Sequence, residues 1–176
     1  MSGHSKWAQI KRKKAVTDAA RSKVFGKLGR VLTIESKKAK GDQSVPTLRT
    51  AIEKAKAANM PKDNIERAVA KGMEAGAASL EPVLYETYGP GGVAILISAL
   101  TDSTNRTAAE IKHLLSLHES SLASPGSAAW AFQKTAEGFQ PNSTVDLTDE
   151  DGEKLATLVE TLEEQDDVQD VFTNAA

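Results

Sequence analysis

The chain contains no cysteine. Disulfides, thiolate nucleophiles and cysteine-ligated zinc or iron–sulfur centres are therefore excluded. It also lacks any apolar run of the ~18 residues that a membrane-spanning helix requires. Its longest such run, VAILISAL at 93–100, has the length of a buried strand. A secretory signal is not expected: the opening AQIKRKKAV interrupts itself with charge where an apolar stretch should stand. The same opening is rich in Lys rather than Arg and Ser, and runs into a helical pattern without an obvious cleavage site. A mitochondrial presequence is not expected either. No HExxH, EF-hand spacing or Ser-His-Asp constellation is legible, so neither a metal nor a cofactor nor a catalytic residue is expected. Asp149, Glu150, Asp151, Asp166 and Asp167 are read as helix capping and surface charge.

What is present is charge sorted by position. The net charge of −2 conceals it. Residues 1–80 carry 18 Lys and Arg against 7 Asp and Glu, a balance of +11; residues 81–176 carry 4 against 17, a balance of −13. A basic half suits a polyanion and an acidic half does not. Hydrophobic residues make up 40% of the 176, enough for a core in at least part of the chain.

Helical periodicity dominates the basic half. Val24, Leu28, Val31 and Leu32 predict a helix over 15–40; Leu48, Ile52 and Ala55 predict a second over 46–59. Asn59 and Pro61 then mark one helix end and the next start, with Ile65, Ala68 and Val69 as the third apolar face and Gly72 as its close. Residues 1–72 form a basic three-helix bundle with an N-terminal arm, and 73–82 a linker. The pattern changes at 83. Strands are expected at 83–88, 93–101, 127–133, 143–147 and 168–173. Helices capped at Thr107 and Thr148 stand between them. From 93 onward the order is β-α-β-β-α-β, the ferredoxin-like arrangement, with 83–88 as an added hairpin strand. The expected class is α+β, with 83–176 as an acidic ferredoxin-like domain.

Several motifs occur together and in order: GHSKW at 3–7, KAxxDAxRxKxFxKLxR across 14–30, ANMPKDNIERA at 58–68, YGPGGVA at 88–94, NRT at 105–107, GSxAWxF at 126–132 and DVQDVFTNA at 167–175. In this combination the chain resembles the YebC family, which includes the mitochondrial translational activator of cytochrome c oxidase subunit I. The resemblance implies a helical N-terminal domain followed by α/β domains, and no enzymatic activity. It implies either a DNA-binding transcriptional regulator or a ribosome-associated translation factor that relieves stalling at proline-rich stretches. The motifs begin at residue 2, where bacterial cytoplasmic members begin, so a cytoplasmic protein is expected. Family members carry an inserted domain after the GSxAWxF strand. Here only KTAEGFQPNS fills that place, so the chain resembles a short form.

Candidate contacts follow from charge and residue type. In the arm, Lys6, Lys11, Arg12, Lys13 and Lys14 suit phosphate neutralisation, and Trp7 suits stacking on a base or ribose. Arg21, Lys23, Lys27 and Arg30 extend the patch along the first helix; the spacing puts the last three near one face. Lys62 and Arg67 are candidates for a partner surface. GPGG at 89–92 lacks the Gly-Lys-Ser/Thr ending of a phosphate loop and is read as a hairpin turn. Trp130 and Phe132 are expected on one side of a strand, packed in the core rather than stacking RNA bases. The target remains DNA or RNA, with the ribosome as one form of the latter. A third reading is an adaptor whose acidic domain meets a protein partner and masks the basic one.

Overall fold

The computed structural model describes residues 18–77 and 79–176. The chain divides into two compact units, with the boundary between Leu80 and Glu81. No helix among the described residues is long and apolar enough to cross a membrane.

In the first unit, helix α1 (Asp18–Ala39) packs with α2 (Pro46–Ala57) and α3 (Lys62–Gly72). The packing follows from periodicity. Helix α2 buries Leu48, Ala51, Ile52 and Ala55, an i, i+3, i+4, i+7 stripe. These meet Leu32 of α1, Ile65 and Val69 of α3, and Met60 from the connection. Phe25, Leu28 and Val31 flank this core, half-buried. Helix α1 stops where Lys40 and Gly41 turn to positive φ, and the Gly41 N–H returns to the Ser36 carbonyl at 2.9 Å. Asn59 ends α2 in the same way, with φ of 61°. Helices α1 and α3 lie unusually close. Ser36 Oγ donates to the Val69 carbonyl at 2.7 Å, and a Cβ on Gly72 would stand 2.4 Å from the Thr33 carbonyl oxygen. Gly72 is therefore the last residue of the helix, required by close approach; the C-cap is Met73, not a left-handed glycine.

In the second unit, β1 (Glu81–Tyr88) and β2 (Ala94–Thr101) form an antiparallel hairpin, and β5 (Val168–Thr173) pairs antiparallel with the other edge of β2. Helix α4 (Thr104–Leu117) follows β2, and α5 (Asp149–Glu164) precedes β5. The continuous apolar character of β2 has a plain cause: both its faces are covered. Ile95 and Ile97 face a core with Ile111, Leu115, Leu155, Leu158 and Leu162 of the two helices. Ala94 and Leu96 face a smaller cluster of Ala128, Ala131 and Phe132. The GPGG segment makes the β1–β2 turn as expected, with Gly91 and Gly92 at φ of 70° and 79°. A Cβ on Gly91 would lie 2.4 Å from Leu147 Cδ2.

The α+β class holds, with helices first and an antiparallel sheet after. The sheet differs from the expected ferredoxin-like one. Its order is β1-β2-β5, and β3 (Phe132–Thr135) and β4 (Gly138–Pro141) pair only with each other. The reason lies in β1: its eight residues pair with all of β2, from Glu81 opposite Thr101 to Tyr88 opposite Ala94, and occupy the edge an inserted strand would need. Residues 129–131 are a 3₁₀ turn rather than a strand, and 143–147 contributes a single bridge, Val145 to Ala175. The cap of α4 is Ser103, whose hydroxyl accepts the Arg106 N–H, and not Thr107. Thr148 caps α5 as expected, accepting the Asp151 N–H at 3.2 Å.

Candidate nucleic-acid interface

Helix α1 determines which cations stand together. At about 100° per residue, Lys23, Lys27 and Arg30 fall on one face, away from the stripe of Phe25, Leu28 and Leu32 that packs inward. Arg21 lies roughly half a turn from Arg30, so it is not part of that row. Lys23 and Arg21 are exposed, and Lys27 and Arg30 are half-buried. With its 22 residues α1 is ~33 Å long, almost twice the length of α2 or α3. Further along, Lys37 donates to the Ala77 carbonyl at 2.9 Å, and Lys38 pairs with Glu35 at 3.0 Å. On α3, Lys62 stands 3.6 Å from Glu66, both well exposed, and Arg67 is exposed on the same helix. Lys6, Trp7, Lys11, Arg12, Lys13 and Lys14 lie outside the described residues.

The α/β unit uses its charges differently. Asp167 is almost fully buried and joins four residues. It accepts from Arg106 Nη2 at 2.8 Å, Thr107 Oγ1 at 2.8 Å and Gln165 Nε2 at 3.3 Å; Thr107 Oγ1 is also 2.7 Å from Thr101 Oγ1. Arg106 reaches Glu110 at 3.1 Å and Asp102 at 3.2 Å as well. The hydrogen bonds it donates to Glu110, Asp167 and Asp102, in that order of weight, raise the guanidinium pKa further, so it is charged at every accessible pH. The NRT and DVQD motifs thus meet in one network tying α4 to the start of β5. Asp167 is no surface acid, and no sequence signal joined it to Arg106, 61 residues away.

Glu86 is a second internal charge. Its carboxylate accepts the backbone N–H groups of Gly126, Ala128 and Ala129 at 2.7, 2.7 and 2.9 Å. Burial pushes its pKa up, but these three donors outweigh burial and hold it below the ordinary glutamate value. This capture winds 126–129 into the turn that precedes β3. Asn174 acts likewise at the same end of the sheet: its Oδ1 accepts the Ala94 N–H at 2.8 Å, and its own backbone carbonyl accepts from Val145.

Phe132 is buried as expected, but Trp130 is not. The 3₁₀ turn rotates it outward, 62% exposed, and its Nε1 donates to Tyr88 Oη at 2.9 Å. Tyr88 Oη in turn donates to the Ser127 carbonyl. Among the described residues no group of three His, Asp or Glu is placed to hold a metal ion.

Three comparisons bear on this arrangement. Residues 5–75 match the family model of the TACO1/YebC protein N-terminal domain, and 80–138 and 135–175 match that of the TACO1/YebC second and third domain. The two latter segments meet at the turn of the β3–β4 hairpin. A protein from Thermosipho melanesiensis, named a probable transcriptional regulatory protein, is 37% identical over 235 residues, covering 99% of this chain and 93% of that one. That alignment is longer than the 176 residues here, so the relative carries sequence with no counterpart in this chain. A Petrotoga mobilis protein of the same name is 51% identical over 152 residues, covering 85% and 61% of the two chains. The crystal structure of a conserved hypothetical protein from Aquifex aeolicus superposes with a TM-score of 0.82 at 33% identity, covering 98% of this chain and 97% of that one.

Proposed function

The chain belongs to the TACO1/YebC family, and from that premise we propose that it is a non-enzymatic, nucleic-acid-binding regulator of gene expression. One observation carries the proposal: 18 Lys and Arg against 7 acids in residues 1–80, followed by 4 against 17 in the remainder. A field of that sign and size steers a polyanion to one end of the chain. The row Lys23, Lys27 and Arg30 on the longest helix supplies part of the contact, and the arm from Lys6 to Lys14 supplies the rest. Contacts of this kind neutralise phosphates and position the protein without reading bases. Duplex DNA is the leading target, since relatives are named probable transcriptional regulatory proteins. The protein works in the cytoplasm, where both DNA and ribosomal RNA are within reach.

The test is anisotropy of the full chain with labelled duplex DNA and with structured RNA, each across a salt series. Affinity for at least one is expected to fall linearly in log–log form with salt. Salt-independent binding, or none to either polymer, would sink the proposal. Tighter binding to RNA at matched salt, together with sedimentation in ribosomal fractions, would move the target from DNA to the ribosome.

A further inference from the structure

The α/β unit carries a cleft of about 710 Å³ between the β1–β2 turn, the end of α4 and the start of α5. Tyr88, Pro90 and Leu117 give it an apolar part, and Glu119, Asp151 and Glu153 give it charge. Its one lysine, Lys154, stands 2.7 Å from Glu150. The bond to Glu150 and that carboxylate's charge raise the lysine's pKa, with smaller contributions from Asp151 and Glu119. Glu119, Asp151 and Glu153 thus outnumber the one lysine among the lining residues.

Large apolar groups stand open here. Leu117 is 63% exposed and Trp130 62%. Trp130 adjoins the cleft through Tyr88, which lines it and accepts the indole N–H. The chain Trp130 to Tyr88 to Ser127 pins the indole by its polar edge and leaves its apolar surface outward. An aromatic anchor fixed in this way has less freedom left to lose on binding. Trp and Tyr are also the side chains that most often dominate interface energy.

We propose that this cleft, with Trp130 at its rim, docks a basic helical segment of a protein partner, with apolar side chains on Leu117, Tyr88 and Trp130 and lysines or arginines facing Glu119, Asp151 and Glu153. The charge settles the class of occupant. A unit with 4 bases and 17 acids repels nucleic acid and attracts a cationic peptide. The cleft belongs to the α/β unit and the basic row to the helical unit, so one chain holds a polyanion with one half and a basic protein with the other.

The test uses the full chain and a fluorescein-labelled synthetic helix of lysines with leucines at i, i+3, i+4 and i+7. Two control peptides carry glutamate for lysine or serine for leucine. The lysine–leucine peptide is expected to bind and to shift the NMR amide signals of Tyr88, Leu117 and Glu153; both controls are expected to bind at least about tenfold more weakly. Trp130→Ala should weaken the lysine–leucine peptide about tenfold, as truncation of an interface anchor does. The exposed pair Glu119→Lys with Glu153→Lys should weaken it at least as much. Both variants should keep the far-UV circular dichroism and the nucleic-acid affinity of the parent. Equal binding of the serine control would reduce the contact to bulk charge and overturn the proposal. So would unchanged affinity in both variants, or a Trp130→Ala defect in nucleic-acid rather than peptide binding. Competition by a synthetic peptide of residues 1–17 at the same signals, with affinity above that of the lysine–leucine helix, would assign the cleft to the chain's own arm and overturn it too.

Discussion

The two units of this chain hold charge in opposite ways. In the helical unit Lys23, Lys27 and Arg30 stand on the outward side of α1, while the interior is sealed by Leu32, Leu48, Ala55 and Ile65 and by small residues such as Ser36 and Gly72. In the α/β unit two carboxylates, Glu86 and Asp167, are buried and hold loops and elements in place. Charge is a surface field in one half and an internal fastening in the other. Removing Lys23, Lys27 and Arg30 should therefore damage binding, and removing Glu86 or Asp167 should damage folding.

The largest expected effect is at Asp167. Asp167→Ala leaves Arg106, Thr107 and Gln165 without their common acceptor in a buried site, at a cost of about 2–4 kcal/mol. Chemical denaturation of the α/β unit should report it. A loss below about 0.5 kcal/mol would show that this charge is not a fastening.

Glu86→Gln comes next, at about 1–3 kcal/mol, because an amide cannot accept all three N–H groups with equal strength. The effect has a pH signature. The folded pKa lies below the unfolded value of ~4.3, so the stabilisation is fully present above that value. It is lost as pH falls through the lower folded pKa. Acid titration of parent and variant should converge below pH ~4, and a constant difference down to pH ~2 would contradict the assignment.

Gly72→Ala tests the helical unit with no change of charge. Its Cβ meets the Thr33 carbonyl and Ser36 Cβ, so α1 and α3 must separate, at a cost of about 1–3 kcal/mol. A neutral result would mean the two helices can part freely. The smallest effect on stability per substitution belongs to Lys23→Ala, Lys27→Ala and Arg30→Ala combined. Lys27 and Arg30 are half-buried, so each change costs up to about 0.5–1 kcal/mol, yet this variant should lose the most binding.

Much of the fold was legible in periodicity. The apolar stripes of α2 and α3, that of α1 except for the exposed Val24, and the strand at 168–173 appear where the pattern of residues puts them. Local chemistry was legible too: Asn59 in its left-handed conformation, the glycines of the β1–β2 turn, and the Thr148 cap. What stayed hidden depends on partners far along the chain. Residues 127–133 have a strand's composition, but Glu86, forty residues earlier, gathers their N–H groups into a turn and sends Trp130 outward. Asp167 has the look of surface charge until Arg106 and Thr107 are brought beside it. The β1–β2 hairpin was legible, but local patterns do not say that β3 and β4 pair only with each other and stay out of that sheet. Among the candidate contacts, spacing puts Lys23, Lys27 and Arg30 on one face of α1, and Arg21 lies off that row.

The measurement that bears most directly on the division of charge is the salt dependence of nucleic-acid affinity for the Lys23→Ala, Lys27→Ala, Arg30→Ala chain, taken beside its thermal unfolding. If these three side chains neutralise phosphates of duplex DNA, the log–log slope should become shallower by roughly 2.7, at ~0.9 per contact, while the unfolding transition barely moves. An unchanged slope with a displaced transition would mean that charge in the helical half, too, is there to hold the fold.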